Sequence, residues 1–272
     1  MRRLAIRPGA IGDVVLSLPA LECLKGGYYE IWTAARITSL IRFADRTRSI
    51  ASTGLDMLEL GLAGSKLIES LSSFDSIVSW YGANREEFRR EVQRLNLPFT
   101  FLPALPGDNP GMHATDFYLR QVEPIAERLV EPVPRIRCDV EREDFAVIHP
   151  FSGSRKKNWP LEKFKALART LERRMPVQWC AGPDDPPTEG LEFTRIDDLY
   201  DLACWLAKAR LYVGNDSGIT HLAAAVATPT LALFGPTDPK VWAPRGAHVR
   251  IAQWKVQPTD SGRTCTHPGR PY

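Results

Sequence analysis

Residues 211–234 read LYVGNDSGITHLAAAVATPTLALF and give the clearest indication of the fold class. Their apolar pattern predicts a strand at 211–213, a helix at 219–226 and a second strand at 230–234. A strand, a helix and a strand in succession form a unit whose two strands run parallel. The segment therefore predicts an α/β protein whose parallel sheet is covered by helices.

The same region requires a check for a membrane span. No Asp, Glu, Lys or Arg occurs from 217 to 237, and about 20 apolar residues are enough to cross a bilayer. His221 lies inside this segment, and Pro229 lies near its middle. A buried helix, a turn and a buried strand therefore explain the segment better than a membrane span does.

Strands and helices alternate in both halves of the chain. The remaining predicted strands lie at 4–7, 29–33, 76–80, 99–102, 145–149 and 177–181. The remaining predicted helices begin at Asp13 or cover 84–95, 113–129, 160–174 and 197–209. A charged, Pro-containing segment without periodicity, 131–143, suits a linker between the halves. We predict two Rossmann-like domains with parallel sheets, an N-terminal domain at 1–134 and a C-terminal domain at 135–272.

The composition excludes several classes of protein. The 272 residues are 44% hydrophobic and 25% charged, as in a globular protein rather than a disordered or collagen-like one. A net charge of +3 is too small to indicate a general nucleic-acid binder. The 5 cysteines form no Cys-x-x-Cys pair, and Pro8, Gly9 and Gly12 interrupt the first apolar run as no signal peptide would. Reduced thiols and the missing signal peptide predict a cytoplasmic protein.

The first candidate site segment is RPGAIGD at 7–13. Ligands of open parallel sheets bind beyond the carboxyl ends of the strands, against helix N-termini, and this segment joins a predicted strand to a predicted helix. Gly9 and Gly12 supply only the last part of the dinucleotide fingerprint G-x-G-x-x-G. Asp13 stands where the helix begins, so it is either a capping carboxylate or a general base that faces a cleft.

Two further segments occupy equivalent places in the second half. SGSRKKNWP at 152–160 combines small hydroxyl residues and three cations before a helix, which suits phosphate binding or a solvated basic loop. GNDSGITH at 214–221 follows a strand and opens a helix, and His221 falls one turn after Ser217. The sequence contains no H-E-x-x-H and no D-x-D, so we predict no dedicated metal site.

Three stretches together resemble glycosyltransferase family 9, the ADP-heptose–lipopolysaccharide heptosyltransferases. They are RPGAIGDVVLSLPAL at 7–21, HPFSGSRKKNWPLEKF at 149–164 and YVGNDSGITHLAAAVATPTLALFGPTDPKVWAP at 212–244. The resemblance implies a GT-B fold, in which two Rossmann-like domains face each other across a cleft. It also implies an inverting glycosyltransferase without an obligatory metal or other cofactor, whose co-substrate is a nucleotide sugar, by family default ADP-heptose.

The resemblance also implies roles for individual residues. Asp13 matches the catalytic carboxylate, and Lys157 matches the lysine that meets the donor diphosphate and supports catalysis. The other positions implied to bind the donor are Ser152, Gly153, Asp184, Asp216, Ser217, Gly218 and His221. The chain is short for the family in its N-terminal half, so the acceptor side is less well defined. There Gly12, Arg36 and Arg42 are candidates to contact the acceptor, and solvated helix surface is the ordinary interpretation of the arginines.

The resemblance implies that the partners are a nucleotide-sugar donor and a glycan or glycolipid acceptor of the lipopolysaccharide core or a related cell-envelope glycan. Because that substrate lies at the inner membrane, peripheral association with this membrane is part of the same expectation. Two alternatives stay open at this point. One is a nucleotide-binding Rossmann protein of another specificity, such as a nicotinamide-dependent oxidoreductase, and the other is a non-catalytic relative.

Overall fold

The computed structural model describes residues 1–107 and 111–254. The first half of the chain forms a parallel sheet in the order β3-β2-β1-β4-β5. Its strands are β1 (Arg2–Ile6), β2 (Tyr28–Thr33), β3 (Arg46–Ser49), β4 (Ser76–Ser79) and β5 (Phe99–Phe101). The helices of this half are α1 (Ile11–Cys23), α2 (Ser65–Ser72), α3 (Glu86–Arg94) and α4 (Ala114–Val122), with 3₁₀ turns at 35–40, 50–52, 55–58 and 123–125. The central strand β1 is apolar because both faces of the sheet are covered.

The second half forms another parallel sheet, in the order β11-β10-β9-β6-β7-β8. Its strands are β6 (Ala146–His149), β7 (Val177–Cys180), β8 (Phe193–Thr194), β9 (Leu211–Asn215), β10 (Thr230–Phe234) and β11 (Val249–Gln253). Its helices are α5 (Leu161–Leu171), α6 (Leu199–Lys208), α7 (Gly218–Ala225) and α8 (Pro239–Trp242), with a 3₁₀ turn at 155–157. The strand order reverses beside β6 here and beside β1 in the first sheet, and such reversals open a ligand crevice at the carboxyl ends of the strands.

The predicted alternation of strands and helices is confirmed, and the stretch without acidic or basic residues is the buried helix α7, a turn and the strand β10. No helix in the described part of the chain is long and apolar enough to cross a membrane. The prediction of one helix over 113–129 is wrong beyond Val122, because the chain continues as a 3₁₀ turn that contains Pro124. The short edge strands β3 and β8 were not predicted, since neither has an apolar run of its own.

The two halves pack together through the first turns of α1 and α7. A Cβ at Gly218 would lie 2.8 Å from the Ile11 Cβ and 3.2 Å from the Gly12 N. A Cβ at Gly12 would lie 3.1 Å from the Cδ2 of His221. Glycine at both positions therefore lets the two helix N-termini approach more closely than side chains would allow.

A second contact between the halves joins α4 to the segment after α8. Arg245 forms an ion pair with Asp116 through two hydrogen bonds, of 2.7 and 2.5 Å, and a hydrogen bond from Arg245 lowers the pKa of Asp116. Burial lowers the pKa of His113, and its Nε2 lies 2.8 Å from the carbonyl oxygen of Ala243. These contacts hold the halves together at the base of α4. The boundary at residues 134 and 135 remains a prediction.

We predict that Gly218→Ala lowers the free energy of unfolding by about 1–3 kcal/mol, because the new methyl group would overlap Ile11 and push α7 away from α1. Urea unfolding followed by circular dichroism measures this change. Gly153→Ala is the matched control, since a Cβ there would meet nothing within 4 Å. Equal stability of the two variants would contradict the tight contact between α1 and α7.

Candidate active site

The N-termini of α1 and α7 meet between the two sheets. Both helices follow the carboxyl end of a central strand, and the positive ends of their dipoles point into the same space. No side chain caps α1, whereas Ser217 caps α7 by accepting from the Thr220 N–H at 3.3 Å. Free N–H groups at two converging helix ends make this space suitable for an anionic ligand.

Asp13 occupies the third position of α1, beyond the N-cap residue Ala10. The structure thus gives the carboxylate no capping bond and disfavours the alternative that Asp13 serves as a helix cap. The Asp13 side chain is half-buried, and its Cβ lies close to Gly9 of the preceding loop. It therefore lies in the first turn of one of the two helices that border the anion-binding space.

Arg7 supports the loop that presents Asp13. It is 1% exposed, and its guanidinium donates to the Ser17 Oγ at 3.1 Å and to the carbonyl oxygens of Pro8 and Asp13 at 3.1 and 3.2 Å. Burial lowers the pKa of Arg7, and the neighbouring Asp13 raises it. The guanidinium also lies 4.7 Å from the centre of the Tyr118 ring. Arg7 was given no role from the sequence, although a cation at the end of an apolar strand could have indicated one.

A glycine is required inside this loop. Gly9 has φ +146, a value that side chains rarely adopt. A Cβ at this position would also lie 3.4 Å from the Asp13 Cβ and 3.7 Å from the Arg7 Nη1. Gly9 therefore allows the chain to turn tightly between the buried arginine and the carboxylate.

Lys157 and Asp216 face each other across the second sheet's ligand edge. The Lys157 Nζ donates to the Asp216 Oδ2 at 2.7 Å, and Asp216 is buried beside the N-terminus of α7. Asn215 ties the loop that carries Lys157 to β9, because its Nδ2 donates to the Pro150 carbonyl at 2.7 Å and its Oδ1 accepts from the Trp159 N–H at 2.8 Å. The predicted residues Lys157, Asp216, Ser217 and Gly218 are thus brought together, and Asn215 is a supporting residue that sequence analysis missed.

His221 lies under the contact between α1 and α7. It is 5% exposed, its ring packs on Gly12, and its Nδ1 is buried without a hydrogen-bond partner in the described structure. The pKa of His221 is lowered to about 4, mainly by burial; Asp216 opposes the shift, and His113 and Lys157 add to it. The imidazole is therefore neutral at pH 7, and it can offer a hydrogen bond but no positive charge.

A chain of hydrogen bonds links residues at the carboxyl ends of β7, β6 and β9. His149 is the last residue of β6, the strand that lies between β7 and β9. Its Nε2 lies 3.2 Å from the Asp185 Oδ2, and its Nδ1 lies 3.3 Å from the Ser217 Oγ. Burial raises the pKa of Asp185, but the hydrogen bonds from His149 and from the Gly182 N–H outweigh this, so the pKa lies below its usual range. An ionised carboxylate only accepts, so Nε2 carries the His149 proton and, in the neutral ring, Nδ1 accepts from Ser217.

The structure leaves three predicted residues outside this cluster. Asp184 is 93% exposed and lies 3.6 Å from Arg36, an ion pair between the two halves of the chain. Of the adjacent pair, Asp185 is the one that turns inward, and sequence analysis chose its neighbour. Arg42 is remote from Asp13, and its guanidinium stacks 4.3 Å above the Tyr200 ring.

The loop before α5 contains the remaining predicted donor-side residues. Ser152 Oγ lies 2.7 Å from the Asn158 Oδ1 and 2.8 Å from the Ser154 carbonyl oxygen, so this hydroxyl shapes the loop. Gly153 has open space where a Cβ would be. Within residues 1–107 and 111–254, no group of three or more His, Cys, Asp and Glu side chains is arranged to hold a metal ion.

Comparison with known proteins identifies the class to which this fold and site belong. The family described as glycosyltransferase family 9 (heptosyltransferase) matches residues 112–268, more than half of the chain. Lipopolysaccharide heptosyltransferase 3 of Escherichia coli K12 is 30% identical over 145 residues, which cover 48% of this chain and 42% of that protein. The chain thus matches less than half the length of the curated relatives.

Solved structures show the same architecture. The family 9 glycosyltransferase of Veillonella parvula superposes with a TM-score of 0.71 at 19% identity, over 93% of this chain and 86% of the other. The E. coli heptosyltransferase WaaC with ADP superposes with a TM-score of 0.67 at 18% identity, over 93% of each chain. The fold is therefore of the GT-B type, as predicted. The protein belongs to glycosyltransferase family 9.

We predict that the buried, neutral His221 makes the free energy of unfolding fall as the pH is lowered. An unfolded histidine has a pKa near 6.5, so between pH 7 and pH 5 the unfolded state takes up a proton that the folded His221, with a pKa of about 4, refuses. The free energy of unfolding then decreases by about 2 kcal/mol from this residue alone. Urea unfolding at both pH values should show this part of the loss in the unchanged protein and not in His221→Gln or His221→Asn. The same pH dependence in all three proteins would contradict the low pKa.

Proposed function

We propose that this protein transfers a heptose from ADP-heptose to an acceptor of the lipopolysaccharide core or a related cell-envelope glycan, with inversion at the anomeric carbon. The observation that carries the proposal is the meeting of the N-terminus of α1, with Asp13, and the N-terminus of α7, beside Lys157. One half of the chain thus provides a carboxylate and the other an anion-binding edge. The printed names of the relatives, which include heptosyltransferases and a structure with ADP, support the choice of donor and acceptor.

The donor diphosphate would lie at the N-terminus of α7. The free N–H groups of residues 217 and 218 and the Lys157 ammonium would face the phosphates, and Lys157 would exchange its ion pair with Asp216 for one with the ligand. Negative charge develops on the departing nucleoside diphosphate, so fixed donors at this place lower the barrier. The neutral His221 would contribute a hydrogen bond rather than a charge. On this view transfer needs no metal ion.

Asp13 would act as the general base. The acceptor hydroxyl attacks the anomeric carbon from the face opposite the diphosphate, the new C–O bond forms, and the bond to the phosphate oxygen breaks. Asp13 accepts the hydroxyl proton, and the released diphosphate carries away the electron pair. Because the attack comes from the opposite face, the configuration at the anomeric carbon inverts. Arg7, which holds the carbonyl of Asp13, would keep the carboxylate directed at the hydroxyl.

The nucleoside end and the acceptor end of the ligand would lie on either side of this centre. Asp185, held by His149, is the inward carboxylate at the end of β7 and a better candidate for a donor hydroxyl than the exposed Asp184. Arg36 and Gly12 remain the acceptor-side candidates, and Arg36 is half-exposed and pairs with Asp184 of the other half of the chain. A cytoplasmic location with peripheral association at the inner membrane belongs to the same proposal.

We predict that Asp13→Asn lowers turnover by about 10²- to 10⁴-fold, the usual contribution of a general base, while nucleotide binding persists. The assay measures ADP release from ADP-heptose in the presence of acceptor, and calorimetry measures ADP binding. Asp144→Asn is the matched control, because this exposed aspartate only pairs with Arg210 at the surface. Unchanged turnover in Asp13→Asn would remove this residue from the mechanism.

We also predict that ADP stabilises the protein selectively among ADP, UDP, GDP, dTDP, CMP and NAD. A ligand at 100 times its Kd adds about 2.7 kcal/mol, a rise in Tm of several degrees for a chain of this size. Lys157→Ala should reduce the rise. Selective stabilisation by another diphosphate would mean a different donor nucleotide. Stabilisation by NAD would favour the oxidoreductase alternative. If no nucleotide stabilised the protein, a non-catalytic relative would be favoured.

A further inference from the structure

A cavity of about 690 Å³ lies between the two halves of the chain, away from the candidate active site. We call it the basic cavity, because the side chains of Lys25, Arg42, Arg128, Arg135 and Arg137 line it against only two carboxylates, Glu22 and Asp139. Its size is within the range of small-molecule sites, which often form at domain junctions. The excess of cations in this one cavity equals the net charge of the whole chain, +3.

The basic cavity is distinct from the site around Asp13. Glu22 belongs to the last turn of α1 and Lys25 follows its end, whereas Asp13 belongs to the first turn. A helix rises about 1.5 Å per residue, so Glu22 lies about 14 Å from Asp13 along the axis. A ligand in this cavity would therefore occupy the opposite end of α1 from the one that faces the proposed donor.

Two of the arginines, and Lys25 as well, have no acidic partner within the described ranges. Arg128 lies 3.8 Å from a Glu22 carboxylate oxygen, and Arg135 pairs with Glu131. Arg42 and Arg137 form no ion pair with any residue of the described ranges 1–107 and 111–254. Burial raises the pKa of Glu22, and Arg128, Arg137, Arg135 and Lys25 oppose this shift, so four of the cavity's cations act on this one carboxyl. Like charges left facing one space repel each other, and an anion relieves the repulsion.

Tyr200 of α6 contacts the Arg42 side chain and the Arg137 backbone. Its ring lies 4.3 Å below the Arg42 guanidinium carbon, and its hydroxyl donates to the backbone carbonyl of Arg137 at 3.2 Å. Arg42 comes from the first half of the chain and Tyr200 from the second, with Arg137 in the connecting segment. The Arg42 guanidinium and the Arg137 backbone are thus held by contacts within the fold before any ligand arrives, which lowers the entropic cost of binding one.

The rest of the lining indicates the kind of anion. Leu40, Phe43, Val130 and Ile136 provide an apolar wall beside the cations. Arginine guanidinium groups bind phosphate oxygens in pairs of hydrogen bonds, and two unpaired guanidinium groups suit one phosphate. We infer that the basic cavity binds a phosphate group attached to an apolar or ring-containing moiety, through Arg42 and Arg137. The inference does not depend on the proposed function.

Phenyl phosphate is the probe, because it combines a phosphate with an apolar ring. Its affinity is measured by calorimetry for the unchanged protein, for the double variant Arg42→Gln/Arg137→Gln and for Lys157→Ala. The double variant should bind at least tenfold more weakly, about 1.4 kcal/mol, and Lys157→Ala should bind as the unchanged protein does. The double variant Arg210→Gln/Arg250→Gln is the control, since both arginines are exposed and neither lines the cavity. Thermal unfolding checks that each variant is folded.

Three results would overturn the inference. They are no binding of phenyl phosphate, equal affinity in the Arg42→Gln/Arg137→Gln variant, and loss of binding in Lys157→Ala, which would mean that the probe occupies the donor site. These readouts require no turnover, so they fail or succeed separately from the proposed transferase activity.

Two sources of the phosphate are then distinguished by sedimentation with vesicles. Cosedimentation with vesicles that contain phosphatidic acid, but not with pure phosphatidylcholine, and its loss in the Arg42→Gln/Arg137→Gln variant would support a lipid headgroup. Binding of phenyl phosphate without cosedimentation would support a small phosphorylated molecule.

Discussion

The close packing of the first turns of α1 and α7 is the contact on which the rest of the structure depends. It joins the two sheets at the carboxyl ends of their central strands, and glycines 12 and 218 permit it. It also brings together the positive ends of two helix dipoles, which makes the space between them suitable for an anion. Asp13 and Lys157 acquire their proposed roles only because this contact places their elements on either side of one cleft.

Polar side chains buried around the contact hold the loops by hydrogen bonds to neutral groups. Arg7 donates to a hydroxyl and two carbonyls, and Asn215 joins a carbonyl to a backbone N–H. Such partners satisfy buried polar atoms without drawing charge away from the cleft. His149 has one neutral and one charged partner, since it ties the carboxylate of Asp185 on one flank of β6 to the hydroxyl of Ser217 on the other. The exception is the Nδ1 of His221, which is buried without a hydrogen-bond partner among the described residues.

Charge is distributed unevenly in a chain whose composition is nearly balanced. Several acidic and basic residues pair at the surface, and the pairs there contribute little to stability. The basic cavity is different because the fold gathers cations from just after α1, from the segments after the 3₁₀ turns at 35–40 and 123–125, and from the connecting segment. Arg42 illustrates the point: it was a candidate for the acceptor, and its contact with Tyr200 assigns it to the other end of α1.

The sequence by itself determined the parallel α/β architecture, because apolar strands alternate with amphipathic helices and this periodicity is local. It also identified the three loops that follow β1, β6 and β9, since glycine, hydroxyl and charged residues after a buried strand mark a ligand edge. Only the tertiary structure decided which side chains turn inward. Asp184 and Asp185 are adjacent and chemically alike, and the hydrogen bonds from His149 and Gly182 select the second. Contacts between residues distant along the chain carry no local periodicity, so no pattern in the sequence could have revealed them.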